Sequence, residues 1–556
     1  MATTDAGVTA QQSEDSAESP VKRPWLALTA LMMALSMIVI DASLVSVLLP
    51  DMVDDLHLSQ TDGQWVNSIY SLIFASLLIT VGLLADKYGR RKLLLIGVVV
   101  FTIGSIGSGV STSPEMLIVF RAVQAVGGAL MMPSALSMIN VAFVGKQRAT
   151  AFGMFGAVFG GAAALGPLLG GWLAQEFSWR WAFFINVPVA VVAFIGLLWL
   201  FPESKVAGIK GFDFVGMVLS FLGLSAIVFS LIEGQQYGWW HAVGDFKFGP
   251  INLGVGGISI VPILLVVGVL LLVILTIWED YRSRVGATTL FKLSLFKIRR
   301  YGYGNVVALI VALGEFGILF VLPLWLESVG KLPPLETGAL VAFLAVGTFI
   351  AGGSARRLSE RVGPTRLVRW GMVIEIVGVI AIAATMSTSF SPWWMVVPLI
   401  VYGIGLGLDS AQLTNVVLVD VPADDSGQAS AMNSTFRQVG SALGGAIVGA
   451  VLFTGLATSL NHRLDSVPNI TPTEHSQIVS TVRDTSGQAI NAMAKDPALN
   501  AVTTQAAEAY TDAAHLTAGV CATLILFGLL FSFGLPGDKV EESDPEKKSE
   551  PAAASS

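Results

Sequence analysis

The sequence predicts an all-α polytopic membrane protein with fourteen transmembrane helices, and its composition is the first reason. Hydrophobic residues make up 54% of the 556 residues and charged residues only 13%, whereas soluble domains carry about 25% charged residues. The second reason is a series of apolar stretches of about 20 residues, the length that crosses a bilayer as a helix. The ten-residue alternating pattern of membrane β-strands is missing from the sequence. The composition excludes an ordinary soluble enzyme, and the net charge of −7 disfavours nucleic-acid binding.

The apolar stretches are numbered as spans 1–14 in chain order. Lipid offers no hydrogen-bond partners to backbone groups, so each span is expected to be a helix. Span 1 is too long for the apolar core of a signal peptide, so we expect it to be retained as an anchor. The spans cover residues 25–48, 65–85, 93–111, 114–138, 149–173, 181–201, 213–232, 258–279, 303–326, 336–355, 367–386, 393–416, 434–457 and 516–535.

Basic residues predict the orientation, because Lys and Arg concentrate in cytoplasmic loops. With the N-terminus inside, 25 of the 32 Lys and Arg residues fall on the inner side and only six on the outer side, while Arg121 lies within span 4. An even number of spans then places both termini in the cytoplasm.

Two similar basic loops predict an internal repeat of two six-helix halves. Gly82 to Lys92 follows span 2, and Gly353 to Gly363 follows span 10; such weak repetition is typical of secondary transporters. The predicted parts are a cytoplasmic tail at 1–24, an N-terminal half at 25–201, two inserted helices with a linker at 202–302, a C-terminal half at 303–535 and a disordered cytoplasmic tail at 536–556.

A polar segment of 58 residues, 458–515, separates spans 13 and 14 on the predicted outer side. Apolar residues at helical spacing, such as Ile478 and Val482, favour a short extracellular helical hairpin. A flexible loop is the alternative.

Five ionisable residues stand out within the spans, where charged side chains are costly and usually mark function. They are Asp41 in span 1, Arg121 in span 4, Glu315 in span 9, Glu375 in span 11 and Asp409 in span 12. Asp41 and Arg121 are expected at similar depth, where a carboxylate facing a guanidinium favours both charged forms. Such a pair either couples to protons or substrate, or permanently joins two helices.

The three acids of the C-terminal half have alternatives of their own. Glu315, near mid-span, suits a residue that binds and releases a proton, and a permanently neutral acid is the alternative. Glu375 and Asp409 either take part in binding or line a cytoplasmic vestibule. Because Arg121 is the only basic residue expected at such depth, we expect these acids to attract lipophilic cations.

Several chemistries are missing from the sequence. It contains no Gly-x-x-x-x-Gly-Lys-Ser/Thr phosphate loop and no soluble segment long enough for a nucleotide-binding domain, so we expect neither ATP-driven transport nor enzyme activity. The five histidines do not cluster at ligand spacing, so no metal site and no cofactor are expected. The Gly403-x-Gly405-x-Gly407 run lies within span 12, where small residues usually allow close helix packing.

Motifs in five regions together resemble one family. They are Ile40-Asp41 with Leu49-Pro50 in span 1, Gly82 to Lys92 after span 2, Leu117 to Gly128 in span 4, Gly156 to Gly171 in span 5, and Trp179 to Pro188 at the start of span 6. The chain resembles the major facilitator superfamily, specifically the fourteen-span drug:H+ antiporters, over nearly all of residues 25–535. Ala125 stands where that family usually has glycine.

The resemblance implies roles for particular residues. The loop residues Gly82, Asp86, Gly89, Arg90 and Arg91 resemble an inner gate latch, in which a carboxylate and basic residues join neighbouring helices. Arg121 resembles a residue linked to proton transfer, and Asp41, Glu315 and Asp409 stand where related exporters carry coupling or cation-binding acids. Span 5 resembles the antiporter helix that accompanies export, through Gly156, Gly166, Pro167, Gly170 and Gly171. Arg356 replaces the aspartate in the second loop, so a symmetric latch is not expected.

The resemblance also implies a function. We expect a proton-coupled exporter of drug-like, lipophilic cationic compounds, which works as a monomer in the plasma (inner) membrane of a bacterium. Its partners are then a small-molecule substrate, protons and the lipid bilayer, and no nucleic acid. The rivals are export of an endogenous metabolite, lipid or amino acid; proton-coupled uptake, which the Gly166-Pro167 element disfavours; and a non-transporting sensor or scaffold, which the intramembrane charges disfavour.

Overall fold

The computed structural model describes residues 21, 23–58, 60–143, 145–206, 209, 211–242, 246–248, 251–253, 257–389, 391–465, 467, 470–485 and 487–537. These residues are overwhelmingly helical, which confirms the predicted all-α class. The two predicted cytoplasmic tails fall almost entirely outside them.

Eighteen α-helices, labelled in chain order, make up the described structure. Those of the first 240 residues are α1 Pro24–Leu56, α2 Gln60–Tyr88, α3 Arg90–Gly109, α4 Pro114–Ala142, α5 Gly145–Glu176, α6 Trp181–Phe184, α7 Asn186–Leu200 and α8 Phe214–Tyr237. The others are α9 Ile260–Arg284, α10 Arg299–Ser328, α11 Pro334–Val341, α12 Phe343–Val362, α13 Pro364–Thr385, α14 Pro392–Leu418, α15 Ser426–Leu464, α16 Pro472–Asp484, α17 Gln488–Met493 and α18 Asn500–Ser532.

Within the described residues, thirteen helical stretches are long and apolar enough to cross a membrane. Two of them are interrupted helices, α6 with α7 and α11 with α12. Helix α5 occupies the position of predicted span 5 and has 32 residues, but it is not one of the thirteen. The number fourteen therefore stays a prediction.

The connections on the predicted outer side carry further secondary structure. Between α8 and α9, strands β1 (Phe246–Phe248) and β2 (Ile251–Leu253) pair antiparallel, with Phe246 opposite Leu253. The polar segment 458–515 is helical in its described residues, through the end of α15, the short helices α16 and α17, and the beginning of α18. The side of the membrane that it faces stays a prediction.

Polar side chains at helix starts explain where several helices begin. Ser113 accepts the backbone N–H of Met116 at the start of α4. Thr471 and Glu474 form a reciprocal capping box at the start of α16. Proline follows both caps, at a position where its missing N–H costs nothing. These caps satisfy backbone donors that a helix end otherwise leaves unpaired.

The long helices pack in two groups with related contact patterns. In the first group α1 packs on α5 and α7, and α4 packs on α2 and α3. In the second group α10 packs on α15 and α18, and α14 packs on α12 and α13. The groups meet where α5 packs on α12 and α14, and where α15 packs on α2 and α4. The inserted helices α8 and α9 pack on each other, and α8 covers α2 and α15.

Two glycines at equivalent turns support the internal repeat. Gly89 joins α2 to α3 with φ of 113°, and Gly363 joins α12 to α13 with φ of 85°. Residues other than glycine rarely adopt this left-handed backbone conformation. The two basic loops therefore share a backbone turn even though only the first contains the aspartate.

The start of span 6 joins α1 to α3 within the first helix group. Trp179 Nε1 and Arg180 Nη1 donate to the Asp55 carboxylate at 3.2 and 2.6 Å. The hydrogen bond from Arg180 is the main reason that the pKa of Asp55 is lowered. Asn186 donates to the Ser105 hydroxyl at 3.0 Å. The motif from Trp179 to Pro188 therefore joins the C-terminal end of α1 to the C-terminal part of α3.

The glycine run of span 12 permits close helix crossings, as its composition predicts. A Cβ atom on Gly405 would lie 2.5 Å from the Glu375 backbone nitrogen and 2.8 Å from the Gly371 carbonyl oxygen, both on α13. One on Gly407 would lie 2.7 Å from the Ala351 Cβ on α12. Helix α14 is thus in backbone contact with α13 and α12 together.

Replacing Gly405 by alanine should destabilise the protein. The new methyl group must push α13 away, and overpacking of this kind typically costs about 1–3 kcal/mol. Thermal unfolding of the purified protein in detergent should show a lower midpoint. Gly445→Ala is the matched control, because nothing lies within 4 Å of a Cβ added there, and its midpoint should be unchanged or higher. If both variants had the same unfolding midpoint, the close contact between α13 and α14 at Gly405 would be contradicted.

Candidate functional site

Asp41 and Arg121 form a buried ion pair inside the first helix group. Arg121 Nη1 donates to Asp41 Oδ2 at 2.5 Å, and each side chain is 1% exposed. The amide of Gln124 completes the triad, since Nε2 donates to Asp41 Oδ1 at 2.7 Å and Oε1 accepts from Arg121 at 2.8 Å. Arg121 Nε donates to the Val66 carbonyl at 3.3 Å, and the guanidinium lies 4.5 Å from the centre of the Tyr70 ring. Both carboxylate oxygens and the guanidinium are thus satisfied.

Helix α5 positions Asp41 by packing on α1. A Cβ atom on Gly166 would collide with Ser43, and one on Gly170 would lie 3.3 Å from Val47. Gly171 instead faces α11, where an added Cβ would lie 2.8 Å from the Leu335 Cα. These glycines bring α5 against both helix groups at once. Gly156 is buried in the same helix, which also contains Pro167.

Glu315, Glu375 and Asp409 come together on α10, α13 and α14, and we name these three residues the acid cluster. One ligand oxygen from each lies within 4.8 Å of the others, and all three residues are buried. The crossing at Gly371 and Gly405 explains two of these positions, because Glu375 and Asp409 flank it on facing helices. Glu375 and Asp409 are both buried and line no open vestibule in this structure.

The acid cluster contains a basic residue that the sequence pattern does not predict there. Arg437 Nη2 lies 3.3 Å from Glu315 Oε2 and 3.2 Å from the Ser410 hydroxyl. Ser410 in turn donates to Glu315 Oε1 at 3.1 Å. The expectation that Arg121 is the only basic residue at such depth is therefore wrong. Helix α15 begins at Ser426, eight residues before the predicted span, and this carries Arg437 into the bundle.

The other two acids of the cluster lack this kind of support. Among the described residues, no donor makes a hydrogen bond of normal geometry to either carboxylate oxygen of Glu375 or Asp409. The nearest polar groups are the Tyr402 hydroxyl beside Glu375 and Ser410 beside Asp409. Burying a charged carboxylate without partners is strongly unfavourable, and three carboxylates this close repel one another. The cluster is therefore suited to bind protons or a cation.

A metal ion was not expected from the sequence, yet the cluster has oxygen ligands at suitable separation. Within the described part of the chain, it is the one group of three or more ligand residues close enough to hold an ion. Arg437 already brings a positive charge to Glu315. This competes with a metal ion for the same carboxylates.

Asp86 joins the two helix groups at one end of the bundle, which we call the Asp86 end. Its carboxylate accepts from Arg90 Nη2 at 2.8 Å and from the backbone N–H groups of Gly427 and Gln428 at 3.2 and 3.1 Å. Arg90 also donates to the Ala423 carbonyl at 2.9 Å. We name Asp86, Arg90 and these α15 backbone groups the latch. An anionic side chain at a helix N-terminus is favourable, so the latch holds α15 against α2.

The remaining loop residues support the latch without belonging to it. A Cβ atom on Gly82 would lie 2.5 Å from the Ala431 Cβ, so this glycine lets α2 approach α15. Arg91 points away from α15 and donates to the carbonyl oxygens of Phe201 and Leu198 at the end of α7. The resemblance grouped Arg91 with the latch, whereas its contacts stay within the first helix group. The Arg356 side chain lies outside the described residues.

Three buried acids of the inserted helices were not among the five intramembrane charges. Asp213 pairs with Arg282 at 3.2 Å, and Glu279 accepts the backbone N–H of Leu290 at 3.0 Å. Glu233 is buried in α8, the helix that packs on α2. All three lie at the edges of the predicted spans. At such positions the hydrophobicity of the neighbouring sequence does not distinguish a buried acid from an acid in a loop. Asp213 joins the start of α8 to α9, and Glu279 attaches the linker that follows α9.

Comparison with known proteins decides the family. The profile of the Major Facilitator Superfamily matches residues 31–445. The chain belongs to the Major Facilitator Superfamily. The protein is thus a membrane protein, and its family consists of transporters. The buried charges, the glycine-rich helix contacts and the paired helix groups agree with this assignment.

Bacterial relatives in the superfamily match most of the chain. The sequence is 32% identical to the probable actinorhodin transporter of Streptomyces coelicolor, over 80% of this chain and 75% of that protein. It is 31% identical to the tetracenomycin C resistance and export protein of Streptomyces glaucescens, over 77% and 76%. It is 31% identical to a puromycin resistance protein of Streptomyces alboniger, over 83% and 89%.

Solved structures of the superfamily share the fold. The human organic anion transporter MFSD10 superposes with a TM-score of 0.56 at 12% identity, over 92% of this chain and 99% of that one. The proton:xylose symporter XylE superposes with a TM-score of 0.56 at 11% identity, over 92% and 96%. Identities this low show a common fold and not a common substrate.

Asp86→Asn should weaken the latch while leaving the acid cluster intact. The amide loses the charge that attracts Arg90 and the helix terminus, and charge-assisted hydrogen bonds are about twice as strong as neutral ones. We expect transport in everted vesicles to slow about tenfold, a change of about 1.4 kcal/mol, with substrate binding to the purified protein unchanged. Glu203→Gln is the control, because Glu203 caps α3 without contacting α15. Parallel losses of binding and transport would contradict a latch.

Proposed function

We propose that the protein is a proton-coupled exporter of drug-like, lipophilic cationic compounds and that it works as an antiporter. The observation that carries this proposal is the acid cluster, in which one guanidinium faces three buried carboxylates. The relatives include antibiotic resistance and export proteins, and this supports export of drug-like compounds. The proposal includes fourteen spans, cytoplasmic termini, a bacterial inner membrane and a monomer.

Competition for the same carboxylates provides the coupling. An organic cation that reaches the cluster from the cytoplasm neutralises the acids, and protons that enter from outside replace it. Each proton that crosses the membrane down a potential of 100 mV supplies about 2.3 kcal/mol. Since about 1.4 kcal/mol is a factor of ten, this energy supports more than a tenfold concentration of substrate outside.

The Asp41–Arg121 pair is proposed to respond to a second protonation. A proton on Asp41 removes the charge that holds the Arg121 guanidinium, so Arg121 retains Gln124, the Val66 carbonyl and the Tyr70 ring. The pair is buried and fully bonded in this structure, so its opening requires another conformation of the helices. A permanent join between α1 and α4 is the alternative.

Export of one endogenous metabolite is the second candidate function. Two relatives are named for single compounds, actinorhodin and tetracenomycin C. The same cluster and latch would serve this function, and only the substrate would differ. A drug-susceptibility panel of a deletion strain distinguishes the candidates, because a multidrug exporter protects against several unrelated cations.

Conservative variants of the acid cluster test the proposed coupling. In everted vesicles with an imposed pH gradient, Glu375→Gln and Asp409→Asn should lower efflux of a cationic dye at least tenfold. Transport of neutral drugs should fall less, because neutral molecules do not need the charge. Asp41→Asn should lower both alike if that pair serves proton transfer.

The control for this experiment is Glu336→Gln, since Glu336 lies in the first turn of α11 and away from the acid cluster. Its efflux should match the wild type. Normal efflux of the cationic dye by both cluster variants would return the acids to a structural role and contradict the proposal.

A further inference from the structure

Arg437 supplies the acid cluster with a positive charge that belongs to the protein itself. Its Nη2 atom is held by one carboxylate oxygen of Glu315 and by the Ser410 hydroxyl, at 3.3 and 3.2 Å. The side chain is 15% exposed, whereas that of Glu315 is 2% exposed. The guanidinium therefore reaches the cluster from its more open edge, on a long side chain that can turn away.

The geometry places any bound cation close to this guanidinium. Glu375 and Asp409 interact electrostatically with Arg437 as well as with Glu315, and their own oxygens have no normal hydrogen bond from the described residues. Tyr402 is the other titratable group that faces the cluster from α14. Two like charges placed side by side in a buried site repel each other strongly. A substrate cation and the resting Arg437 therefore exclude each other.

We propose that Arg437 is a tethered competitor for the cation site and sets its specificity. This inference rests on the proposed function of the same cluster. When an organic cation enters, the guanidinium leaves Glu315 and Ser410, and it returns when the cation is released. The site is thus never left with three unbalanced carboxylates, and a cation must bind well enough to displace the arginine. Neutral molecules face no such competition.

The competitor and the latch lie on one continuous helix. Gly427 and Gln428 give their backbone N–H groups to Asp86, and Arg437 follows within α15. Ten residues of helix correspond to about 15 Å. Because this helical segment is short, a shift of the helix at one site also moves it at the other site. Release of Arg437 therefore bears on the same helix that closes the Asp86 end.

Binding of tetraphenylphosphonium to the purified full-length protein tests this inference. Arg437→Gln keeps a hydrogen-bonding side chain and removes the competitor, so its dissociation constant for this cation should fall about tenfold. Arg437→Lys retains the charge and should stay near the wild type. Arg361→Gln is the matched control at an exposed position of α12, and its dissociation constant should be unchanged.

A second variant keeps the test decisive if Arg437→Gln does not fold. Ser410→Ala removes one hydrogen-bond partner of the Arg437 guanidinium, so tetraphenylphosphonium should bind about threefold more tightly. Unchanged or weaker binding in the folded variants would overturn the inference, as would equal tightening in Arg437→Lys. If the wild type neither binds the cation nor expels it under a pH gradient, the proposed function itself fails. If the wild type binds the cation normally and these variants have no effect, only the proposed role of Arg437 as a competitor is refuted.

Discussion

The balance of buried charge is the constraint on which the site depends. A carboxylate inside a membrane protein must be paired, protonated or bound to a cation, because the bilayer and the packed helices offer no water to stabilise it. In the first helix group one guanidinium, Arg121, faces one carboxylate, Asp41. In the second group one guanidinium, Arg437, faces the three carboxylates of the acid cluster. The first arrangement is complete by itself, and the second has a deficit of positive charge that protons or a substrate can fill.

Helix packing determines where this charge imbalance lies and which helices respond to it. Glycines at the crossing of α13 and α14 bring two of the acids together, and Arg437 comes from α15. The same helix begins at the latch, where its N-terminus binds Asp86. The two helix groups also meet where Gly171 of α5 contacts α11. Charge at the cluster and closure at the Asp86 end are therefore connected through α15, which allows binding and gating to influence each other.

Apolar stretches predict most of the fold, because each membrane-crossing helix needs its own run of about 20 apolar residues. They do not show which helices are neighbours, so the meeting of Glu315, Glu375 and Asp409 could not be derived from spacing. Asp41 and Arg121 could be matched because each is the only charge at its depth in its helix. Arg437 was missed because it lies near the predicted start of a span, where a basic residue is usual. The extension of α15 to Ser426 depends on tertiary contacts with α2 and α4.

Proton release on cation binding tests the central claim of charge competition most directly. Tetraphenylphosphonium is added to the purified full-length protein in weakly buffered detergent solution between pH 5 and pH 8, with a pH-sensitive dye as the readout. The account predicts release of about one proton for each bound cation over part of this range, because protons and cation occupy the same carboxylates. A variant that combines Glu375→Gln with Asp409→Asn should lose the release. Saturable binding by the wild-type protein without proton release at any pH would contradict the account.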